Sequence, residues 1–493
     1  MIRRRTITSY VWNSVSGNKM VILSNCIRNF FRKFELIGNS TQGENPAPEN
    51  PQEIKSAGRK SKNLLNLQKQ PDVKETYLGW KVSDGRNVVL SVKDKGNNAD
   101  ITGCYLGLSR TGGSSDGVGW VVNNGSAVIK EIVSKNQYVS VFPPNETTVR
   151  KLLERFDIQV EYGGNATDYE PYGYLIDLKI TGENLLSNKP TDWMIGKATS
   201  WGAVPQTPVS YWTNVKNAIA TINVKSSTNY SFINKDTNKL WVYRIIEQDE
   251  NGLGYVNHPF YKDESLNYKK YNFSTRSNTS NIVFEIKKVD GTELLSSDIE
   301  SNKIMLVEGE VNEPTSYEPY TEQSVQIALD EPLRGIGEYK DVLTKDGVVR
   351  KIKRIVFDGS ENWGIHKEKE TTVSFWTNSF KFLFPTHNTM LVDKFAYVIS
   401  GMNKEDVSWS VYGSNFYINI NKDIASNLES FKIWLSKNTV TVEYIAIEPT
   451  TEPLPESVQQ QLQALHSENG VTHVFVDSGE VECGINIEYK YKS

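Results

Sequence analysis

Apolar residues in this chain come in short runs in which apolar and polar positions alternate. Clusters of turn-forming residues separate these runs, for example Asp84-Gly85 and Asp290-Gly291. Many short strands with frequent turn signals are typical of antiparallel sandwiches, so the pattern predicts a mainly β fold. The clearest runs, rich in β-branched or aromatic residues, are 87–92, 218–224, 281–286 and 431–434.

Two long segments of the chain share an opening and an ending. Each opens on Asn-Leu-Leu, at Asn63 and at Asn184, and each ends on Tyr-Glu-Pro-Tyr, closing at Tyr172 and at Tyr320. Units of this length exceed solenoid repeats and predict whole β-sandwich domains in tandem. A central strand excludes proline, so we interpret Tyr-Glu-Pro-Tyr as a structural turn packed on its own module. The two modules are placed at 62–180 and 181–326.

A third, degenerate module is predicted at 358–455. It opens on Glu361-Asn362-Trp363 and ends on an alternating run at 440–446, but it lacks Tyr-Glu-Pro-Tyr. Before it, Asp346-Gly347 separates two alternating runs, which is a good hairpin signal. We therefore predict a β-hairpin spacer over 327–357 that holds neighbouring modules at a fixed angle.

The amino-terminal region differs from the modules. Residues 1–35 carry seven basic side chains and one acidic side chain. The apolar stretch at 20–23 is shorter than the hydrophobic region of a signal peptide, which argues against a cleaved leader. We interpret 1–33 as a short basic anchor that docks on another protein, with a disordered basic tail as the alternative.

Two further connecting regions complete the predicted organisation. Over 34–61 a strand runs into a linker, where Pro46, Pro48 and Pro51 favour an extended, semi-rigid spacer. Over 456–493 the apolar stripe of a helix of about three turns is followed by a closing strand pair. The predicted fold is thus a series of sandwich modules joined by a hairpin spacer, with a short amino-terminal anchor and a carboxyl-terminal helix plus strands.

Charge and composition exclude several classes of function. The 493 residues include 55 basic and 59 acidic side chains, a formal net charge of −4, which gives no overall attraction to nucleic acid. No apolar run approaches the roughly 18 residues that a membrane-spanning helix needs, so we expect no membrane insertion. Cys26, Cys104 and Cys483 are far apart, and we interpret them as free, mostly buried thiols.

No sequence motif points to catalysis or to a bound metal. The chain contains no nucleophile elbow, zinc-protease motif, P-loop or EF-hand loop. Its five histidines show no ligand spacing, and no local Asp/Asn cluster indicates a structural Ca²⁺ ion. Among 59 acidic residues, no spacing marks the carboxylate pair of a glycosidase. We therefore predict a protein that is not an enzyme and that has no cofactor.

Aromatic residues are the best candidates for a binding site. The C–H face of a sugar stacks on an aromatic ring, while its hydroxyl groups bond to planar polar side chains. In the run 240–244, alternation places Trp241 and Tyr243 on one face of a strand. The alternative, which we weigh more heavily for any single residue, is that such rings form the core. The candidate glycan ligands are Trp201, Tyr211, Trp212, Trp241, Tyr243, Arg244, Trp363, Trp376 and Trp409.

The order of these motifs resembles the modular tail-tip, baseplate and tail-fibre proteins of phages of Gram-positive bacteria and related phage-tail-like bacteriocins. The resemblance covers most of 34–493, while residues 1–33 match no part of the pattern. It implies jelly-roll modules similar to carbohydrate-binding modules, carried on a virion tail and often in trimers. The segments that carry it are 34–39, 46–54, the Asn-Leu-Leu openings, 166–172, 316–320, 333–337 with the following hairpin, and 452–491.

From this resemblance we expect a receptor-binding or tail-fibre protein of the virion tail, assembled in the bacterial cytoplasm, that attaches to a host cell-surface polysaccharide. Its expected partners are other tail or baseplate proteins through the amino-terminal region, the polysaccharide, and copies of itself, with a trimer favoured. One alternative is a purely structural tail component whose modules bind only virion proteins. Another is a cell-wall polysaccharide depolymerase.

Overall fold

The computed structural model confirms a mainly β protein built from antiparallel sheets and sandwiches. None of the helices in the described part of the chain is long and apolar enough to cross a membrane. The chain divides into two compact units: a larger one of residues 1–57, 177–325 and 333–493, and a smaller one of residues 58–176 and 326–332. The described residues are 2–7, 18–65, 78–84, 88–96, 105–109, 117–122, 136–142, 146–163, 165–195, 216–235, 241–249, 254–258, 270–288, 290–311, 317–383, 389–397 and 407–492.

The amino-terminal strands belong to the larger unit. They are β1 (Ile2–Ile7), β2 (Asn18–Cys26), β3 (Asn29–Phe30), β4 (Lys33–Ile37), β5 (Ser40–Thr41) and β6 (Lys55–Ser56). Strands β5 and β6 pair with each other, so the proline-rich segment between them folds back as a closed loop. The expectation of an extended spacer over 34–61 is therefore wrong. Three prolines exclude a helix, but they do not prevent a loop whose two ends form a ladder.

The smaller unit holds the first module. Its elements are β7 (Arg59–Lys60), β8 (Leu78–Asp84), β9 (Val88–Asp94), β10 (Tyr105–Ser109), β11 (Gly117–Val122), β12 (Asn136–Phe142), α1 (Glu146–Arg155) and β13 (Phe156–Tyr162). They form a sheet of order β11–β10–β12–β8 and a β13–β9 pair. Apolar side chains of β9, β10, α1 and β13 share one core, as expected for a two-layer module.

Strand β14 (Tyr174–Thr181) precedes the second module, and its residues from 177 onwards belong to the larger unit. The second module lies in the larger unit. Its elements are a 3₁₀ turn (Pro190–Asp192), β15 (Met194–Ile195), β16 (Ala218–Asn223), β17 (Asn229–Asn234), β18 (Trp241–Gln248), β19 (Gly254–His258), β20 (Lys270–Ser274), β21 (Asn281–Lys288), α2 (Ser296–Glu300) and β22 (Ile304–Glu308). A five-stranded sheet, β15–β16–β21–β18–β19, and a three-stranded sheet, β20–β17–β22, enclose its core.

The remaining elements include the third module. They are β23 (Glu322–Leu329), β24 (Gly335–Ile336), β25 (Tyr339–Lys340), β26 (Val342–Thr344), β27 (Gly347–Phe357), β28 (Trp363–Glu368), β29 (Thr372–Thr377), β30 (Met390–Val392), β31 (Ser408–Tyr412), β32 (Asn415–Asn421), α3 (Leu428–Lys437), β33 (Val440–Pro453), α4 (Glu456–Ala464), β34 (His466–Ser467), β35 (Gly470–Asp477) and β36 (Gly484–Lys492). The sheet β28–β29–β32–β31 shares a core with β27, β30 and β33.

The run 431–434 lies in helix α3, so its interpretation as strand-like was wrong. Asn427 caps this helix, since its side-chain oxygen accepts a hydrogen bond from the Ser430 amide at 2.9 Å. Phe431 and Leu435 lie four residues apart on the buried face. Four residues were too few to tell an alternating strand from one turn of an amphipathic helix.

One long sheet of the larger unit organises its other elements. Its strand order is β35–β2–β36–β4–β26–β27–β33–β30, with residues 177–181 of β14 on the far side of β35. The predicted hairpin is confirmed, because Val342 pairs with Val349 across Asp346-Gly347. It is not a separate spacer, since β26 also pairs with β4 and β27 also pairs with β33.

The two ends of the chain meet in this sheet. Strand β2 pairs with β35, and β1 pairs with β36 over six residues. The predicted carboxyl-terminal strands both exist, but β2 lies between them, so they are not a closing pair. The boundary that set 1–33 apart as an independent anchor is therefore wrong. Sequence spacing could not show that these strands pair, because the pairing partners are more than 400 residues apart in the chain.

The repeat has a structural basis in each of the three modules. A helix immediately precedes the last strand in each: α1 before β13, α2 before β22 and α3 before β33. This order links the degenerate third unit to the other two, although its sequence has lost Tyr-Glu-Pro-Tyr. The third module differs in that strands of the long sheet form one of its layers.

A buried asparagine accounts for the shared opening and ending of the first two modules. The Asn63 side chain donates to the carbonyls of Ile158 and Glu170 at 3.0 and 3.2 Å, and it accepts from the amides of Leu65 and Val160, both at 3.1 Å. The opening is thus bonded to the last strand and to the Glu-Pro turn at once.

Asn184 repeats this arrangement in the second module. Its side chain donates to the carbonyls of Ile304 and Glu318 and accepts from the amides of Leu186 and Leu306, at 3.0–3.4 Å. We call these two residues the asparagine clamps. The glutamate carbonyl of each Tyr-Glu-Pro-Tyr is a clamp partner, which supports its interpretation as a structural turn.

Candidate functional site

Most of the described aromatic candidates lie in module cores. Tyr243, Trp363 and Trp409 are 5%, 3% and 3% exposed. The Tyr243 ring packs 4.0 Å from Phe232 by centroids, and Trp409 stacks on Phe416 at 5.7 Å. Rings buried in this way offer no face to a sugar, so a glycan role for them stays a prediction that their burial does not support.

The other candidates are placed as follows. Arg244 is 8% exposed, and its guanidinium bonds to Glu285 at 2.5 Å, which is a buried ion pair inside the sheet. Trp376 is half-buried over Gly364. Trp201, Tyr211 and Trp212 lie outside the described residues, as does the side chain of Trp241.

A cavity of about 270 Å³ in the larger unit is the better candidate site. Its floor consists of side chains on one face of two antiparallel strands, where Asp177 lies opposite Asp477 and Lys179 lies opposite Phe475. Directly opposite residues have Cβ atoms about 4.5–5.5 Å apart, so the two carboxylates are neighbours. These side chains share one face because side chains at every second position of a strand point the same way, and because the register aligns the two strands.

The second module supplies the walls of the cavity. Leu185 and Ser187 follow the asparagine clamp, and Asp192 ends the 3₁₀ turn. The Ser187 hydroxyl donates to the Asp192 carboxylate at 2.5 Å, which fixes this carboxylate at the wall. Strand β16 contributes residues 220–223.

Tyr320, the last residue of the second Tyr-Glu-Pro-Tyr, also lines the cavity and is 8% exposed. Its hydroxyl donates to Glu322, and the ammonium groups of Lys179 and Lys189 each lie 5.7 Å from its ring centroid. Burial raises the pKa of Tyr320 far above its ordinary value, and the bond to Glu322 adds to this effect. The phenol is therefore a neutral donor.

Glu322 carries the counter-charge of these lysines. Its carboxylate is 2.9 Å from the Lys179 ammonium and 3.7 Å from that of Lys189. Burial acts to raise the pKa of Glu322, but the hydrogen bonds from Tyr320 and Lys179 and the two positive charges outweigh it, so this pKa is lowered. Glu322 thus stays ionised and holds Lys179 in place.

At the inner end of the floor, the lining residue Thr181 and its strand partner His473, which does not itself line the cavity, each carry a buried polar atom without a hydrogen-bond partner. Thr181 lines the cavity and is 2% exposed, and its hydroxyl oxygen bonds to no other group. Directly opposite it, His473 is fully buried; its Nδ1 lies 2.8 Å from the Gly182 carbonyl, while Nε2 has no partner. Burial lowers the pKa of His473 to about 4, so the ring is neutral.

The lining suits a small polar ligand with one apolar face. Leu185, Phe475 and Tyr320 give apolar or aromatic contact, and three aspartates and several hydroxyl or amide groups give hydrogen bonds. Among the residues that the structure describes, no three His, Cys, Asp or Glu side chains are grouped to hold a metal ion.

Sequence reasoning missed this cavity. Its residues come from four distant parts of the chain, and the motifs that hold Leu185 and Tyr320 and the run 218–224 were interpreted as structural. The one available signal was alternation: 177–181 and 473–477 each place polar or aromatic residues at every second position. Nothing in a single sequence states that these two strands pair.

Comparisons with known proteins give no further guide to the site. No family model and no curated protein matches the chain. A structure of infectious bursal disease virus, Gt strain, is 8% identical over 98% of this chain and 80% of that chain, with a TM-score of 0.13. The arabinofuranosyltransferase AftD from mycobacteria is 7% identical over 93% of this chain and 36% of that chain, with a TM-score of 0.13. Likenesses with TM-scores this low carry no argument about fold or function.

Proposed function

We propose that this chain is a receptor-binding or tail-fibre protein of a phage tail or baseplate, and that it binds a host cell-surface polysaccharide without cleaving it. The observation that carries the binding function is the cavity between the second module and strands β14 and β35. Support for the virion role comes from the sequence resemblance. The tandem sandwiches with their asparagine clamps agree with that resemblance.

The chemistry of the cavity is suited to a sugar. A pyranose presents C–H groups on its faces and hydroxyl groups around its rim, so it needs aromatic or apolar walls together with short, fixed hydrogen-bonding groups. Tyr320 and Phe475 supply the aromatic walls, and Asp177, Asp477 and Ser187 supply the hydrogen-bonding groups. Several copies on one tail, with a trimer favoured, raise the overall affinity of weak sites by about 10²–10⁴.

A sedimentation experiment tests this function. Purified full-length protein is mixed with cell walls of Gram-positive bacteria, and the protein that pellets with the walls is measured with and without soluble wall polysaccharide. We expect the protein to pellet with the walls of its host and to be released by the polysaccharide. No sedimentation with any wall at high protein concentration contradicts the proposal.

A depolymerase is the second candidate, because Asp177 and Asp477 are opposed in a cavity. Paired carboxylates about 5–10 Å apart are the catalytic arrangement of glycosidases. If the protein releases reducing ends from the walls that it binds, and if Asp477→Asn abolishes this release, then the protein hydrolyses the polysaccharide. We expect no release.

A purely structural role is favoured by the burial of Tyr243, Trp363 and Trp409, since buried rings serve the core of a module. In that case the modules bind only virion proteins, and the amino-terminal region attaches to one of several such proteins. Failure of wall sedimentation together with capture of other tail proteins supports this alternative.

A further inference from the structure

We propose that the cavity selects an amino sugar whose amine is free and protonated, over N-acetylated and acidic sugars. This inference rests on the proposed binding of polysaccharide and names the class of sugar that the cavity accepts. It is carried by the charges that line the cavity and by the unpartnered hydroxyl of Thr181 at its inner end.

The charges of the lining favour a cation. Asp177, Asp192 and Asp477 line the cavity, and Lys179 is its one lining cation among the described residues. The Lys179 ammonium is 2.9 Å from Glu322, which does not itself line the cavity and which Lys189 also approaches at 3.7 Å, so this carboxylate offsets one of the two lysine charges. Negative charges outnumber positive ones among the described lining residues, and clefts lined by one sign of charge concentrate ligands of the other sign.

The inner end of the floor fixes a hydroxyl group of the ligand. A carbonyl only accepts hydrogen bonds, so Nδ1 of His473 carries the proton that it donates to Gly182, and Nε2 of the neutral ring is an acceptor. Thr181 lies opposite and has a hydroxyl that both donates and accepts. A ligand hydroxyl at the inner end of the cavity bonds to Oγ1 of Thr181, which satisfies a buried group that is costly to leave unpaired.

The two ends of the floor together define the ligand. Thr181 and the opposed aspartates lie at opposite ends of a five-pair ladder, about four residues along the strand and thus roughly 13 Å apart at the backbone. Tyr320 and Phe475 line the space between them. The geometry points to two linked sugar rings, with a hydroxyl of one ring at the inner end and an ammonium of the other beside Asp177 and Asp477, since an N-acetyl group in that place carries no charge.

Titration calorimetry with three defined oligosaccharides tests the inference. The full-length protein is titrated with glucosamine tetramer, N-acetylglucosamine tetramer and galacturonic acid tetramer at low ionic strength and at a pH where the amine is protonated. We expect the glucosamine tetramer to bind at least tenfold more tightly than the N-acetylated form, and the acidic tetramer not to bind. Added salt lowers the preference because it screens the charges.

Matched variants assign the preference to the cavity. Asp177→Asn with Asp477→Asn keeps the size and hydrogen-bonding capacity of the side chains and is expected to remove the tenfold preference. Glu293→Gln with Glu300→Gln removes two exposed charges of the same module outside the cavity and is expected to keep it. Circular dichroism confirms that each variant is folded.

The outcomes separate this inference from the function on which it rests. Equal binding of the aminated and N-acetylated tetramers, or tighter binding of the acidic one, overturns the inference while sedimentation with walls still stands. Wall binding by a protein that binds none of the three tetramers also overturns it. Absence of wall binding overturns the proposed function itself.

Discussion

At the scale of single residues, the asparagine clamps show how one side chain joins the start of a module to its end. Asn63 and Asn184 are 4% and 1% exposed, and each makes four hydrogen bonds to main-chain groups. An amide has two donor hydrogens and two acceptor lone pairs, so both capacities are fully used. No other side chain of this size offers the same set.

Replacing a clamp should destabilise its module strongly. We expect Asn184→Ala to lower the free energy of unfolding by about 2–4 kcal/mol, because buried main-chain groups lose their partners. Asn63→Ala should have a similar effect in the first module. Asn362→Ala is the control, since Asn362 opens the third module but is exposed, and we expect a change below about 0.5 kcal/mol. Urea unfolding measures all three, and an equal effect of Asn362→Ala contradicts the role of the clamps.

His473 should make stability depend on pH. Burial lowers its pKa in the folded state to about 4, against an ordinary value of 6.5; the bond to Gly182 opposes this shift and the charge of Lys225 adds to it. Between these two values the unfolded chain binds the additional proton. The contribution of His473 to the free energy of unfolding is therefore fully present above pH 6.5. It decreases as the pH falls towards 4, by at most about 1.4 kcal/mol per pH unit.

Asn in place of His473 keeps a side-chain donor but removes the titration. We expect His473→Asn to flatten the pH dependence of the unfolding free energy in that window. His366→Asn, which replaces an exposed histidine, should leave the dependence unchanged. If the unfolding free energies of wild type and His473→Asn, measured in urea, depend on pH in the same way, this contradicts the assignment of the pH dependence to His473.

Some residues could be predicted from the sequence and others could not. Cys26 and Cys483 are buried as expected, and Cys26 forms no disulfide, while Cys104 lies outside the described residues. Alternation places Tyr243 on one face of its strand, but it does not say whether that face is core or surface. Thr181 and His473 carried no signal beyond alternation, because their importance depends on a pairing between distant strands.

At the scale of elements, a buried charge network holds the hairpin in the long sheet. The register between β27 and β33 shifts between Arg350 and Ile352, where β33 carries the extra residues, and main-chain amides of β27 are left outside the ladder. Asp341 accepts from the amides of Lys351 and Ile352 at 2.7 and 3.0 Å, and it pairs with Arg350 at 3.3 Å. The Asp341 carboxylate thus provides a buried acceptor for the main-chain amides that are left outside the ladder.

Removal of this carboxylate should be costly. Asp341 is fully buried, so Asp341→Ala removes the acceptor of the Arg334, Lys351 and Ile352 amides and one of the two carboxylates that pair with Arg350. We expect a loss of about 3–5 kcal/mol in the free energy of unfolding, which is typical when one partner of a buried ion pair is removed. Glu338→Ala, an exposed change in the same region, should cost below about 0.5 kcal/mol. A small effect of Asp341→Ala in urea unfolding contradicts this description.

The sequence predicted several of the longer strands and the carboxyl-terminal helix, because these depend on local periodicity. It missed the closed loop after β5 and the insertion of β2 between β35 and β36. Both depend on which edges pair, and several registers satisfy the same alternation. Helix α3 was missed because a run of four residues fits either period.

At the scale of the whole molecule, the modules are not independent beads on linkers. The second and third modules are insertions between strands of one long sheet, and the first module lies in a unit of its own. Two compact units should give two unfolding transitions in calorimetry. We expect Asn63→Ala to lower the midpoint of one transition and Asn184→Ala that of the other. A shift of one shared transition by both changes contradicts two independent units.

The most direct test of polysaccharide binding is to block the cavity and measure wall binding. Thr221 lines the cavity from an exposed position on β16, so Thr221→Trp fills the opening with little cost to the fold. Thr451→Trp places the same side chain on an exposed strand position outside the cavity. Sedimentation with host cell walls should fall at least tenfold for Thr221→Trp and stay at the wild-type level for Thr451→Trp. Undiminished sedimentation of a folded Thr221→Trp variant would contradict the cavity as the binding site.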